Sequence, residues 1–167
     1  MNATNQKPQS GSYVVALPPD AGGMGALIRA FDWSATSLGP MSEWPAHLKS
    51  VVRFMLPAKA QIVLFWGAEF IALYNDAYAP TIGQKHPRAL GRPARENWAE
   101  LWDDLEPLLR SVLETGETVF AKDRPFYIER NGYPEDVYFD ISLTPRFRTR
   151  RVRLGASSVS SARQPNE

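Results

Sequence analysis

The strongest pattern in the chain is an almost unbroken run of apolar residues between positions 61 and 74. Gln61–Trp66 is rich in β-branched and aromatic residues, residues 67–69 interrupt the run, and residues 70–74 resume it. This pattern predicts two short strands joined by a tight turn. Neither strand has a polar face, so each needs cover on both sides, or one side toward a ligand.

Apolar residues recur at helical spacing twice before this hairpin. A short helix is predicted over residues 25–31, and a longer amphipathic helix follows, with Ser42 as its N-cap and Pro57 at its end. We interpret residues 24–60 as a helical extension that packs on the core, and the polar residues 1–23 as disordered. The buried face of the longer helix is predicted to carry Trp44, Leu48, Val51, Val52 and Met55.

After the hairpin, Asn75 and Asp76 offer side-chain oxygens that can cap a helix or bond a signalling linker or ligand. A long helix is predicted over residues 98–114, bent or divided by Pro107 and ended by Gly116. Its apolar side points to the core.

The chain then becomes β-structured. A strand over residues 118–130, broken near 123–125, is followed by a turn and by a strand over residues 135–145. The second strand alternates, with one face apolar and the other mostly polar. Together with the first hairpin, these elements predict an α+β core over residues 61–145. The apolar face holds Val137, Phe139, Ile141 and Leu143, and the opposite face holds Tyr138, Asp140, Ser142 and Thr144.

Composition narrows the function. The chain has no cysteine, which removes disulfides, thiolate metal sites and cysteinyl-flavin photochemistry. It has neither a signal peptide nor a membrane-spanning run, so we expect a cytoplasmic protein. Residues 146–167 hold six arginines and one acid, whereas residues 1–145 are mildly acidic. This basic, serine-rich tail could bind nucleic acid or an acidic partner.

Six aromatic residues are candidates for lining a pocket that takes a planar ligand. Tyr74 and Tyr78 are the strongest, because they lie at the junction between hairpin and helix. The alternative is that each ring fills a small core. The six are Trp66, Tyr74, Tyr78, Trp98, Trp102 and Tyr138.

Four phrases, in this order and spacing, resemble PAS domains at the front of bacterial sensor histidine kinases. They are AFDWSATSLGPMSEWP, LFWGAEFIALYNDAYAP, GQKHPRALGRPARENWAELWDDLEPLLRSVLETGET and ERNGYPEDVYFDISLTP, within residues 24–145. The resemblance implies a five-stranded antiparallel sheet with helices over one face, and a pocket between them. It also implies a signal-sensing module of two-component systems that self-associates through the PAS core or the N-terminal helix.

The resemblance also places a last apolar strand in the middle of the sheet, where this chain reads RFRTRRVRLGASSVSSARQPNE. That segment fits no strand well, so the fold would be weakened or the sheet completed by another chain. Suitable codons for residues 146–160, read in another frame, give a segment close to PVPDEAGQVGGVFCV. We therefore hypothesise a frameshift in a histidine kinase gene. The rival interpretation is a genuine short protein with a basic tail.

Other candidate chemistry is weaker. His47 is predicted on the surface of the early helix, and His86 lies in a loop, away from the helix that carries the haem ligand in some PAS domains. Neither haem nor another metal is expected, and the cofactor stays unknown. The acidic residues of the long helix, Asp103 and Asp104 among them, suit its solvated face, or acid–base catalysis in a stand-alone enzyme. The phosphoacceptor helix and ATP-binding domain of a kinase are missing, so no kinase activity is expected.

Overall fold

The strands of the chain form one antiparallel sheet. The computed structural model describes residues 22–145 and 155–163. The spatial order of the strands is β2-β1-β5-β4-β3, which confirms the predicted five-stranded antiparallel sheet. In chain order the strands are β1 (Gln61–Trp66), β2 (Ile71–Tyr74), β3 (Val119–Glu129), β4 (Pro134–Pro145) and β5 (Gly155–Arg163).

Four α-helices accompany the sheet in the described part of the chain. They are α1 (Gly22–Ala30), α2 (Ala46–Met55), α3 (Ala94–Asn97) and α4 (Trp102–Thr115). Short 3-10 turns lie between them at Trp33–Ala35, Met41–Glu43, Ala79–Lys85 and Ala99–Leu101. The predicted disorder of residues 1–23 falls mostly outside the described residues, although Gly22 and Gly23 already belong to α1. None of the described helices has the length and apolar composition needed to cross a bilayer.

Two predicted helix boundaries are wrong. Ser42 does not cap α2 but lies in a separate 3-10 turn, and Pro45 occupies the N-cap with an extended ψ of 145°. Of the two effects predicted for Pro107, division of the long helix is wrong, because α4 continues through this residue, and a bend there stays a prediction. The division falls earlier, where Trp98 and Leu101 have φ near −120° and −119°. Gly116 ends α4 in the left-handed region at φ 72°, as predicted.

The apolar strand β1 is covered on both faces, as its sequence requires. Val63 and Phe65 alternate with Leu64 and Trp66, and all four are buried. The ring of His47, from α2, stacks on Trp66 at a centroid distance of 5.4 Å. Thus α2 covers one face of β1, and the prediction of a surface position for His47 is wrong.

The hairpin of β3 and β4 follows the predicted alternation. Val137, Phe139, Ile141 and Leu143 are buried, while Tyr138 is 44% exposed on the opposite face. The ladder shifts register between Ala121 and Arg124, where the predicted break lies and Asp123 has φ 47°. This bulge restores the pairing that brings the buried side chains of both strands to one face.

The tail supplies the central strand. Residues 155–163 pair with β1 on one side and with β4 on the other. The prediction that this serine-rich segment fits no strand is therefore wrong for these residues, because ladder hydrogen bonds use the main chain and require no particular side chain. The two halves of the sheet, β2-β1 and β4-β3, meet only through β5. Val152, Leu154 and the other residues of 146–154 lie outside the described part.

Replacing Ser158 by proline should destabilise the protein, because residue 158 pairs with Val63 on one side and Leu143 on the other. Proline cannot donate to the ladder and is confined in sheets to edges and bulges. We expect a loss of at least one buried hydrogen bond, about 1–3 kcal/mol, measured as a lower urea midpoint. Ser158→Thr, which keeps the N–H, is the control. A proline variant with an unchanged midpoint would place the tail outside the sheet.

Candidate functional site

An apolar cavity of about 60 Å³ lies between the inner face of the sheet and the helical layer. Strands β1, β3 and β4 contribute seven of its eleven lining residues, and the remaining four come from the segments that cover the sheet. Two of the lining residues carry a polar group in the side chain, Tyr78 a hydroxyl and Trp98 an indole N–H. The eleven are Val63, Phe65, Tyr78, Trp98, Leu101, Leu105, Phe126, Ile128, Phe139, Ile141 and Leu143.

Local geometry fixes the two polar residues of the lining. Tyr78 lies in the turn after β2, where its backbone N–H donates to Oδ1 of Asn75 at 3.0 Å and to the Asn75 carbonyl at 3.1 Å. Trp98 follows α3, and its ring meets Phe65 of β1 edge-on at a centroid distance of 5.3 Å. The indole of Trp98 lies near enough to the Tyr78 hydroxyl to lower its pKa slightly. Tyr78 and Trp98 are the two residues of the described lining that carry a polar group in the side chain.

The cavity is electrically neutral. No charged residue is among its lining residues in the described part of the chain. Burial raises the pKa of the Tyr78 hydroxyl, and the hydrogen bond from Trp98 lowers it by less. Burial also raises the pKa of Tyr74, whose ring centroid lies 5.9 Å from that of Tyr78. Both phenols therefore stay protonated at neutral pH and can act as hydrogen-bond donors.

Two of the six predicted pocket residues, Tyr78 and Trp98, line the cavity. Tyr74 lies beside it, with its hydroxyl 3.1 Å from Nδ1 of His86. Trp102 packs on Phe70 instead, at a centroid distance of 6.0 Å.

Trp66 and Tyr138 face away from the cavity. Trp66 contacts His47 on the other side of β1, and Tyr138 alternates with the inward-facing Val137 and Phe139. The period of two residues in a strand forces both outcomes. The prediction selected rings by residue type and missed the aliphatic lining, although the alternation of β4 already placed Phe139, Ile141 and Leu143 on one face.

Asn75 is a structural hub between the hairpin and the N-terminal extension. Its Oδ1 accepts from the backbone N–H groups of Ile62, at 3.1 Å, and Tyr78, at 3.0 Å. Its Nδ2 lies 2.8–3.1 Å from three carbonyls at the end of α2 and in the loop before β1, which share its two protons. These belong to Met55, Ala58 and Ala60. A fully buried amide thus joins α2, β1 and the Tyr78 turn.

Asp76 binds the other N-terminal helix. Its Oδ1 accepts from the backbone N–H of Met24 at 2.9 Å, in the first turn of α1. A carboxylate there satisfies a free N–H and interacts favourably with the helix dipole. Asn75 and Asp76 were predicted as capping or signalling residues. These two neighbouring side chains bind the turn after β2 to both helices of the extension, α2 through Asn75 and α1 through Asp76.

The remaining charged groups are structural or exposed. Asp103 and Asp104 are exposed in the first turn of α4, and Glu106 pairs with Arg110 one turn later.

Lys85, which is buried, forms an ion pair with Glu100, whose Oε1 also accepts from the backbone N–H of Glu129. Among the described residues, no group of three or more acidic, histidine or cysteine side chains is placed to bind a metal ion.

Solved structures with a similar fold are PAS domains. The PAS domain of Bordetella pertussis BvgS has a TM-score of 0.54 and 19% identity, over 72% of this chain and 89% of that chain. A PAS domain from Colwellia psychrerythraea has a TM-score of 0.51 and 12% identity, over 70% and 96%. A sensory box sensor histidine kinase from Vibrio cholerae has a TM-score of 0.50 and 10% identity, over 72% of this chain and 95% of that chain. No family model and no curated protein matches the chain.

Replacing Asn75 by alanine should lower the free energy of unfolding by about 3 kcal/mol or more, because the backbone N–H of Ile62 and the carbonyls of Ala58 and Ala60 lose their side-chain partner. Denaturation by urea measures the effect. Asn131→Ala is the matched control, since Asn131 is an exposed turn residue. Equal stabilities of the two variants would contradict a hub role for Asn75.

Proposed function

We propose that this chain, whose fold is that of PAS domains, is a sensory input module that binds a small molecule between sheet and helices. The observation that carries the proposal is the neutral, apolar cavity at that position. The similarity to PAS domains of BvgS and of a sensor histidine kinase supports an input role in a two-component pathway. The kinase would be supplied by another protein or domain. A cytoplasmic location stays a prediction.

The signal would pass from the cavity to the N-terminal helices. Tyr78 lines the cavity, and its backbone N–H is bonded to Asn75, which holds the end of α2. The next residue, Asp76, holds the start of α1. A ligand that shifts Tyr78 therefore acts on a turn bonded to both helices. It changes their equilibrium position only as far as it binds the two arrangements with different affinity.

The alternative functions have less support. A stand-alone enzyme would have used the acidic residues of α4, but Asp103 and Asp104 are exposed and lie outside the cavity lining. Nucleic-acid binding would use the arginines of residues 146–167, and five of these six lie outside the described part of the chain. That function stays a prediction.

Self-association is part of the proposal. Two exposed faces of the domain would bind each other in a dimer of this chain. The outer face of β3 and β4 exposes three aromatic side chains, Phe120, Tyr127 and Tyr138. Exposed acids, including Asp136, lie among them, and Asp136 pairs across the ladder with Tyr127. The exposed side of α2 has the opposite charge. There Phe54 is 77% exposed and lies beside the exposed Arg53. Because their charges are opposite, the outer face of β3 and β4 of one copy would bind the exposed side of α2 of the other copy.

Filling the cavity should abolish ligand binding without unfolding the protein. Ile141→Phe adds an aromatic ring at a lining position, at a cost of about 1–3 kcal/mol. We expect members of a panel of small metabolites to raise the melting temperature of the wild type. The gain in stability is about 2.7 kcal/mol at a hundredfold excess over Kd, and the variant should not respond. Leu108→Phe, outside the lining, is the control. A wild type that retains nothing in native mass spectrometry and ignores the whole panel would contradict sensing.

Replacing Phe54 by serine should weaken self-association at least tenfold, as measured by sedimentation velocity, because an exposed aromatic anchor is lost. Arg53→Glu and Asp136→Arg should each weaken it by up to about fivefold, and their combination should restore it. Arg88→Glu, another exposed arginine, is the control. A wild type that stays monomeric across the micromolar range, or a double variant that is no better than either single one, would contradict this interface.

A further inference from the structure

A buried ion pair lies where the helical layer meets the outer strand of the sheet. Lys85, at the end of the 3-10 turn that follows Tyr78, pairs with Glu100, and their side chains are only 7% and 17% exposed. The same carboxylate oxygen accepts from the backbone N–H of Glu129, the last residue of β3, at 3.1 Å. One carboxylate therefore joins two segments of the helical layer to the end of β3.

This ion pair is adjacent to the lining of the cavity. Glu100 stands in the chain between Trp98 and Leu101, and Glu129 directly follows Ile128. Trp98 and Leu101 line the cavity from the helical layer, and Ile128 lines it from β3. The ion pair therefore lies at the boundary between these two walls, and separating the walls there would open the cavity to solvent.

A second contact closes the same boundary. The backbone N–H of Gln84 donates to the carbonyl of Arg130 at 2.7 Å. Gly83 has φ 50°, and a Cβ on this residue would lie 2.4 Å from the same carbonyl oxygen. Glycine alone combines this backbone conformation with so close an approach. The 3-10 turn is therefore packed against the β3–β4 hairpin directly beside the ion pair.

We propose that the ion pair between Lys85 and Glu100 is a latch that closes the cavity, and that a ligand enters between the helical layer and β3 when the pair separates. The inference rests on the proposed sensory function and specifies how its site is entered. Because an unpaired buried charge is costly, the pair separates only in a local opening that admits water to both charges. The 3-10 turn that carries Lys85 begins at Tyr78, whose N–H is bonded to Asn75, so this opening acts on the turn that holds both N-terminal helices.

Hydrogen exchange in the wild type tests the latch without a ligand, because deuterated water is the probe that enters. We expect the backbone N–H of Glu129 and the indole N–H of Trp98 to exchange through a local opening. Such an opening exposes less surface than global unfolding, so its rate should depend less on urea. The backbone N–H of Leu64, in the interior strand β1, reports global unfolding. An equal urea dependence at all three groups would overturn the proposal.

Lys85→Met should speed both exchanges, relative to that of Leu64, by about tenfold to a hundredfold, the range for one hydrogen bond to a charged group. Methionine keeps the length of the side chain and removes its charge. Arg92→Met is the matched control, because Arg92 forms an exposed ion pair with Glu96 in the same helical layer. The indole N–H of Trp33, which donates to a carbonyl of the N-terminal extension outside the lining, should not change.

If Lys85→Met fails to fold, Gly83→Ala provides the second test, because its Cβ would displace the turn from the Arg130 carbonyl. It should speed the same two exchanges. Gly67→Ala is its control, since Gly67 has φ 76° but no atom within 4 Å of an added Cβ. Unchanged exchange in Lys85→Met or Gly83→Ala, or equal acceleration in the controls, would overturn the latch even if a ligand binds. Faster exchange in a protein that ignores every small molecule would support the opening and contradict the sensory function.

Discussion

The fold depends on one buried amide. The side chain of Asn75 contacts five backbone groups at hydrogen-bond distance: its oxygen accepts from two N–H groups, and three carbonyls share the two protons of its nitrogen. Without this side chain, the N–H of Ile62 and the carbonyls of Ala58 and Ala60 would lose a partner, at a cost of about 1–3 kcal/mol for each buried group left unpaired. The same side chain fixes the turn that carries Tyr78. The packing of the N-terminal helices and the shape of the cavity therefore have a common cause.

The double-sided burial of β1 follows from that arrangement. Once Asn75 holds the end of α2, His47 can lie on Trp66, and the outer face of β1 is covered. The inner face then turns Val63 and Phe65 toward the cavity. An apolar strand with only one covered face would expose a large hydrophobic surface. The N-terminal extension is thus a structural part of this domain, with its rings and aliphatic groups in the same core.

Local signals in the sequence predict local structure well and distant contacts poorly. The hairpin, the buried side of α2 and the alternation of β4 were all predictable, since each depends on a period within a few residues. The bond from Asp76 to Met24 was not, because these residues are 52 positions apart and no local pattern links them. Only two of the six predicted pocket residues line the cavity. Tyr78 and Trp98 were found by residue type, whereas Trp66 and Tyr138 have the right type on the wrong face.

The central strand shows why composition alone is a poor guide to topology. Judged by its side chains, the serine-rich segment is weak material for a strand between β1 and β4, yet both neighbours present backbone edges that need a partner. These edges also separate the two halves of the cavity wall, Val63 and Phe65 on one side and Ile141 and Leu143 on the other. Ladder hydrogen bonds join those halves only through β5. The distance between the two halves of the cavity wall therefore depends on the pairing of this strand with both neighbours.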